Sequence, residues 1–184
     1  MAQLLSKSLT VPLYYATISR LVVELNRSLH HPNLFSSFTK TLSKLEKQHI
    51  LMHYYHPYRT EVEDSIRNGI TQKGTVLHIS VHSFTPGLKG IERKADIGLL
   101  YDPSTEEKDF CQAWKTQIVA QSHMRVRCNY PYRGTADGFT TYLRKRFPNG
   151  YMGIELEVNQ ALLSNNDSIN IVEKVLAASL KSII

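Results

Sequence analysis

The 184 residues are 42% hydrophobic and 21% charged, enough for one globular domain with one filled core. No apolar run reaches the roughly 18 residues of a membrane span, and the start, MAQLLSKSLTVPL, is too broken by polar residues for a signal peptide. The formal charge of +6 fits an anionic small molecule better than nucleic acid, because the basic residues are dispersed and no nucleic-acid-binding motif occurs.

Residues 2–10 read as a helix with Leu4, Leu5 and Leu9 on one side, stopped by Pro12 and without a cap ahead of it. In residues 19–27, SRLVVELNR, Leu21, Val23 and Leu25 alternate with Val22, Glu24 and Asn26. That predicts a strand with Arg20 at its start and Asn26 and Arg27 at its end. After a loop over 28–37, a helical segment from about Thr41 to Gly69 is expected to face inward through Leu42, Leu45, His49, Met52 and His56. Pro57 predicts a kink or a new helix start, and Gly69 the C′ position. His49, His53 and His56 share a helix face with no acidic ligand among them, which favours aromatic packing over metal binding.

The run from Thr75 to Val81 predicts a buried strand ending at His82, with His78 on the same face. Lys89–Lys94 is a polar connection and Ala95–Asp102 a second buried strand. Thr105–Ser122 is an amphipathic helix, with Phe110, Trp114 and Ile118 inward and Glu106, Glu107 and Asp109 at its positive end. A short strand over Met124–Cys128, a Gly/Pro-rich loop over 129–138 and a helix over Phe139–Phe147 follow. Tyr151–Val158 is a strand with Glu155 and Glu157 on one face, and a last helix begins near Asp167, capped by Asp167 or Ser168. This order predicts an α/β three-layer sandwich with a mostly parallel, mixed sheet.

An imidazole at the end of a core strand, as expected for His82, sits where α/β sheets gather ligands and metals, although a lone histidine is more often a hydrogen-bonded core residue. Arg20, Asn26 and Arg27 suit a carboxylate, since guanidinium forks match its two oxygens; surface arginines are the even alternative. Glu155 and Glu157 each offer a general base, and pattern does not choose between them. Clamp, imidazole and base together point to a hydrolase of an acidic amide. Cys111 and Cys128 form no disulfide framework, which fits a reducing, cytoplasmic setting, and no flanking signature supports a cysteine hydrolase at Cys128.

The blocks SRLVVELNRSLHHPNLFS, HISVHSFTP, DIGLLYDP, NYPYRGTADG and GIELEVNQALL resemble the N-formylglutamate amidohydrolase family, in the family's order and through nearly the whole chain. The resemblance implies a zinc-carboxypeptidase-like (phosphorylase/hydrolase-like) fold around one catalytic zinc. It implies His82 as a zinc ligand and Glu157 as the water-activating carboxylate. Asn26 and Arg27, with Arg20 and Arg133, would contact the carboxylate of an N-acyl amino acid. Asn159 stands where the family's Glu-x-Arg pattern has arginine. The family's Glu-His segment, which supplies two further zinc ligands, does not precede Arg20. The expectation is therefore one domain, amino-terminally incomplete, with an incomplete zinc site: either a truncated enzyme or a degenerate relative that binds a small carboxylate without metal. No nucleic acid or membrane partner is expected, and the sequence leaves a homo-oligomer open.

Overall fold

Six α-helices and six strands form in the computed structural model, which describes residues 1–184. The helices are α1 (Ala2–Leu9), α2 (Lys44–Ile50), α3 (His56–Lys73), α4 (Glu107–Gln121), α5 (Phe139–Arg146) and α6 (Asn166–Lys181). The strands are β1 (Val76–Phe84), β2 (Gly87–Leu88), β3 (Ile91–Glu92), β4 (Ile97–Leu100), β5 (Val126–Cys128) and β6 (Tyr151–Asn159). They fall into two compact units, the first made of Met1–Leu13, Leu77–Ala136 and Met152–Ile184, the second of Tyr14–Val76 and Asp137–Tyr151.

The first unit carries the four-stranded sheet, in the order β1-β6-β4-β5. β4 and β5 are parallel, while β6 runs against β4 with Leu100 opposite Glu155 and Gly98 opposite Glu157. At the start of β1 the Val76 N–H donates to Gly150 O (2.8 Å), and near its end Ser83 Oγ accepts from Gln160 Nε2 (3.3 Å). β1 and β6 thus begin together and end together, which makes them parallel. The sheet is mixed and mostly parallel, as the element order predicts.

Period-two alternation gives this sheet two unlike faces. Leu77, Ile79 and Val81 on β1, Ile97 and Leu99 on β4, Val126 on β5, and Ile154, Leu156 and Val158 on β6 share one apolar cluster. Leu5 of α1, Trp114 and Ile118 of α4, and Val172, Leu176 and Leu180 of α6 complete it. Trp114 is 1% exposed, and its indole N–H donates to Ser179 Oγ (3.0 Å), so burial leaves no polar atom stranded there. Glu107 does more than face a helix dipole: it is 1% exposed and accepts from Gly153 N–H (2.7 Å) and Asp102 N–H (2.8 Å). This carboxylate ties the start of α4 to the start of β6.

In the second unit, α2, a π-helical turn (Leu51–Tyr55) and α3 run on without a break. Proline offers no N–H to the preceding turn, and Pro57 stands two residues after the end of the widened stretch. The interruption expected at Pro57 is present, but the inward stripe expected before it is not. Leu45 (64%) and Met52 (67%) are exposed, and the buried residues are Tyr55, Arg59, Val62 and Ile66. The extra residue of the wide turn changes the phase of the helical face. α3 also continues past Gly69 to Lys73 and closes on Gly74, whose φ is +80°. Gly69 instead makes room for Val76, whose Cγ2 would lie 2.5 Å from a Cβ there.

Other expectations need correction. Residues 19–27 form turns, not a strand: Val22 N–H donates to Ser19 O (2.8 Å), Arg27 N–H to Glu24 O (3.1 Å) and Glu24 N–H to Leu34 O (2.9 Å). Val23 is fully buried beside Leu34 and Tyr55, but Leu21 is 51% exposed, so the alternation has no sheet to serve. β1 runs two residues beyond His82, to Phe84, so His82 lies within the strand. The polar connection expected over Lys89–Lys94 holds β3, which pairs antiparallel with β2 just ahead of it to form a small hairpin. α6 is capped by Asn165, whose Oδ1 accepts from Ser168 N–H (2.9 Å).

Candidate functional site

The face of the sheet opposite the apolar cluster is polar. Because Leu77, Ile79 and Val81 point into the core, His78, Ser80 and His82 lie on the other side. By the same parity β6 shows Glu155 and Glu157 there, and β4 shows Gly98 and Leu100. β1 and β6 start side by side at Val76 and Tyr151, so six residues on (82 − 76 = 157 − 151) His82 and Glu157 come level to within a residue. Glu155 (9% exposed) and Glu157 (5%) are buried, whereas His78, Ser80 and His82 are half-buried.

Neighbours shape this face. Ser80 Oγ is 3.0 Å from His82 Nε2. With Ser80 accepting from Nε2–H, Nδ1 carries the ring's lone pair; the opposite tautomer reverses the roles. Gly98 lets the chain at Tyr130 come close, because a Cβ there would run into Tyr130 O and lie 3.2 Å from Glu157 Cβ. Asn129 holds the following loop with its Oδ1, which accepts from Tyr101 N–H (3.2 Å) and Gly134 N–H (2.9 Å). Arg133 is exposed on that loop, and its carbonyl accepts from Ala136 N–H (3.0 Å). Asn159 is occupied at both ends of its amide, donating to Ala95 O (2.8 Å) and accepting from Ala161 N–H (3.0 Å).

The clamp residues lie on the turns of the second unit. Arg20 is an exposed side chain paired with Glu24 (2.7 Å). Asn26 Oδ1 accepts from Phe139 N–H (2.7 Å), which satisfies an unpaired donor at the start of α5. Arg27 donates through its guanidinium to Asp137 O, and Ser28 N–H donates to Asp137 Oδ2 (3.1 Å). Burial opposes charge on Asp137, yet hydrogen bonds from Ser28 and the nearby charges of His31 and Arg27 hold its carboxyl below the usual range.

Besides Asn129, two contributors escaped sequence reasoning. Tyr55 donates through its hydroxyl to Arg27 O (2.7 Å), and Arg59 donates to Leu25 O (3.1 Å). Burial lowers the Arg59 pKa, with Tyr55, Tyr142, Glu63 and Asp137 acting in the other direction; burial also raises that of Tyr55, which keeps its hydroxyl a donor. Four-residue spacing puts Tyr55 and Arg59 on one helix face, but an arginine on an apolar stripe reads as surface until its aromatic partners are known. His49, His53 and His56 are exposed, with the rings of His49 and His53 stacked 5.8 Å apart.

A catalytic zinc needs three protein ligands and a water. His82 shares its sheet face with His78, Glu155 and Glu157, but nowhere do three His, Cys, Asp or Glu side chains converge around one point that would hold a metal ion. The donor set of this chain alone does not fit that zinc.

Comparison with known proteins agrees with the architecture. A gene product of Agrobacterium tumefaciens shares the fold at 24% identity and a TM-score of 0.76, over 99% of this chain and 75% of its own. An N-formylglutamate amidohydrolase from Ralstonia eutropha does so at 16% identity and a TM-score of 0.73, over 99% of this chain and 80% of its own. No curated protein matches the sequence. The family model described as N-formylglutamate amidohydrolase matches residues 1–164, and on that match the chain belongs to the N-formylglutamate amidohydrolase family.

Proposed function

We propose that this chain hydrolyses the amide of an N-acyl acidic amino acid, with N-formylglutamate as the reference substrate. The observation that carries the reading is the polar sheet face, where the buried Glu157 and the half-buried His82 stand level to within a residue on adjacent strands. Water attacks the formyl carbon and Glu157 accepts its proton. The C–N bond then breaks, the proton passes to the leaving nitrogen, and formate and the free amino acid separate. Glu155 is the alternative base, and His82 orients the water or the carbonyl. Within the second unit Asn26 and Arg27, with Arg20, are the residues suited to a carboxylate, and Arg133 of the first unit is a further arginine of that kind. The residues of this chain do not make up the three-ligand zinc site that the family resemblance implies, so no step is drawn through it; metal content measured beside turnover tests its contribution.

A second reading is a carboxylate-binding relative without turnover. The lack of three converging metal ligands favours it. Formate release and calorimetric titration with N-formyl-L-glutamate separate the two. Release that is lost in Glu157→Gln supports the hydrolase, binding without release supports the binder, and neither binding nor release overturns both.

A further inference from the structure

We infer that Tyr55 and Arg59 are positioning residues that hold Asn26 with its amide nitrogen presented as a donor to a carboxylate; this rests on the proposed role of the Asn26–Arg27 turn. The carbonyls on either side of Asn26 are both gripped by one helical stretch. Leu25 O accepts from Arg59 (3.1 Å), and Arg27 O accepts from the Tyr55 hydroxyl (2.7 Å). These side chains are four residues apart, the first closing the π-helical turn and the second in the opening turns of α3.

Arg59 also reaches the other anchor of Asn26. Its guanidinium lies 3.9 Å from the Phe139 ring centre, 4.9 Å from that of Tyr55 and 4.7 Å from that of Tyr142. Phe139 is the residue whose N–H is accepted by Asn26 Oδ1. One cation therefore fixes the carbonyl before Asn26 and packs on the residue that engages its side-chain oxygen.

The chemistry follows from the amide. A primary amide has an acceptor end and a donor end, and here the acceptor is already committed to a backbone N–H. The Nδ2 end remains to meet a ligand, and it offers hydrogens, which suits an anion. Packing alone is a poor account of Arg59. It is only 6% exposed and is met by three ring faces and a carbonyl, so an apolar side chain would fill the space without the desolvation cost.

The test uses the full chain with Tyr55→Phe, which removes one hydroxyl, and Arg59→Lys. One readout is the Kd for N-formyl-L-glutamate and for its dimethyl ester. The other, in ligand-free protein, is the Asn26 side-chain NH2 resonances with the exchange rate of the Phe139 amide. Tyr55→Phe is expected to weaken the diacid by roughly fivefold, the equivalent of one ordinary hydrogen bond, to leave the ester unaffected and to move the Asn26 resonances. Arg59→Lys should act in the same direction and more strongly, since an ammonium cannot both stack and donate in the same plane. Equal weakening of acid and ester would reduce both residues to general packing, and unmoved resonances would overturn the inference. Failure of the wild type to bind the diacid would sink the proposed ligand instead, while the resonances still decide whether Tyr55 and Arg59 hold Asn26.

Discussion

Glu157 stands on a strand hydrogen-bonded to neighbours on both sides, whereas Asn26 stands on a turn whose flanking carbonyls are held by side chains from a helix. On the sheet, position is a property of the backbone ladder, and replacing one polar side chain leaves its neighbours where they were. On the turn, position is the sum of a few side-chain-to-backbone bonds, each worth about 1 kcal/mol. Removing one moves the rest. Substitutions on the sheet face should therefore separate activity from stability, and those on the turn should couple them.

The largest expected effect breaks activity alone. Glu157→Gln keeps the shape but cannot take a proton, so formate release should fall by about 100-fold or more while the melting temperature stays near that of the wild type. A parallel loss of stability would show that the carboxylate is structural. Glu107→Ala tests where the sheet, too, depends on a side chain. It strands two backbone N–H groups, one of them at the buried Gly153, and should cost about 3 kcal/mol in denaturant unfolding. Asn26→Ala should cost about 1 kcal/mol through the uncapped start of α5 and weaken ligand binding with it. Binding loss without stability loss would break the comparison from the turn side.

The smallest effect is one of pH. The Asp137 carboxyl is depressed in the folded state, so its contribution is present above the unfolded pKa, near 3.9, and disappears as pH falls through the lower folded value. In Asp137→Asn the stability profile below about pH 4 should flatten slightly, as followed by thermal melts.

The same contrast governs what the sequence made legible. Strands β1, β4 and β6 and helices α4 and α5 could be read because a two-sided sheet and an amphipathic helix impose periods of their own. His82, Glu155 and Glu157 followed by parity from the apolar residues beside them. Residues 19–27 show the same alternation for another reason: Val23 fills a local cluster and the neighbouring N–H groups close turns. A period of two over nine residues does not reveal whether a partner strand exists. The face of α2 and α3 was misread because the π-helical turn adds a residue that no hydrophobic pattern announces. Tyr55, Arg59 and Asn129 were missed because they act on backbone atoms far along the chain, and residue type does not encode such distant carbonyls and amides.

One small feature counts for both site strands. β1 and β6 take their common origin where Val76 N–H meets Gly150 O (2.8 Å), beside a close approach of Gly150 to Gly74 O that leaves no room for a Cβ. His82 lies six residues from Val76 and Glu157 six from Tyr151, an even number of steps in each strand. Inserting or deleting one residue inside either strand would invert its parity and turn the imidazole or the carboxylate into the oily layer; two residues would keep parity but displace the group by roughly 7 Å. Length changes tolerated by this protein should therefore fall in the loops outside β1 and β6, and the two strands should keep their nine residues.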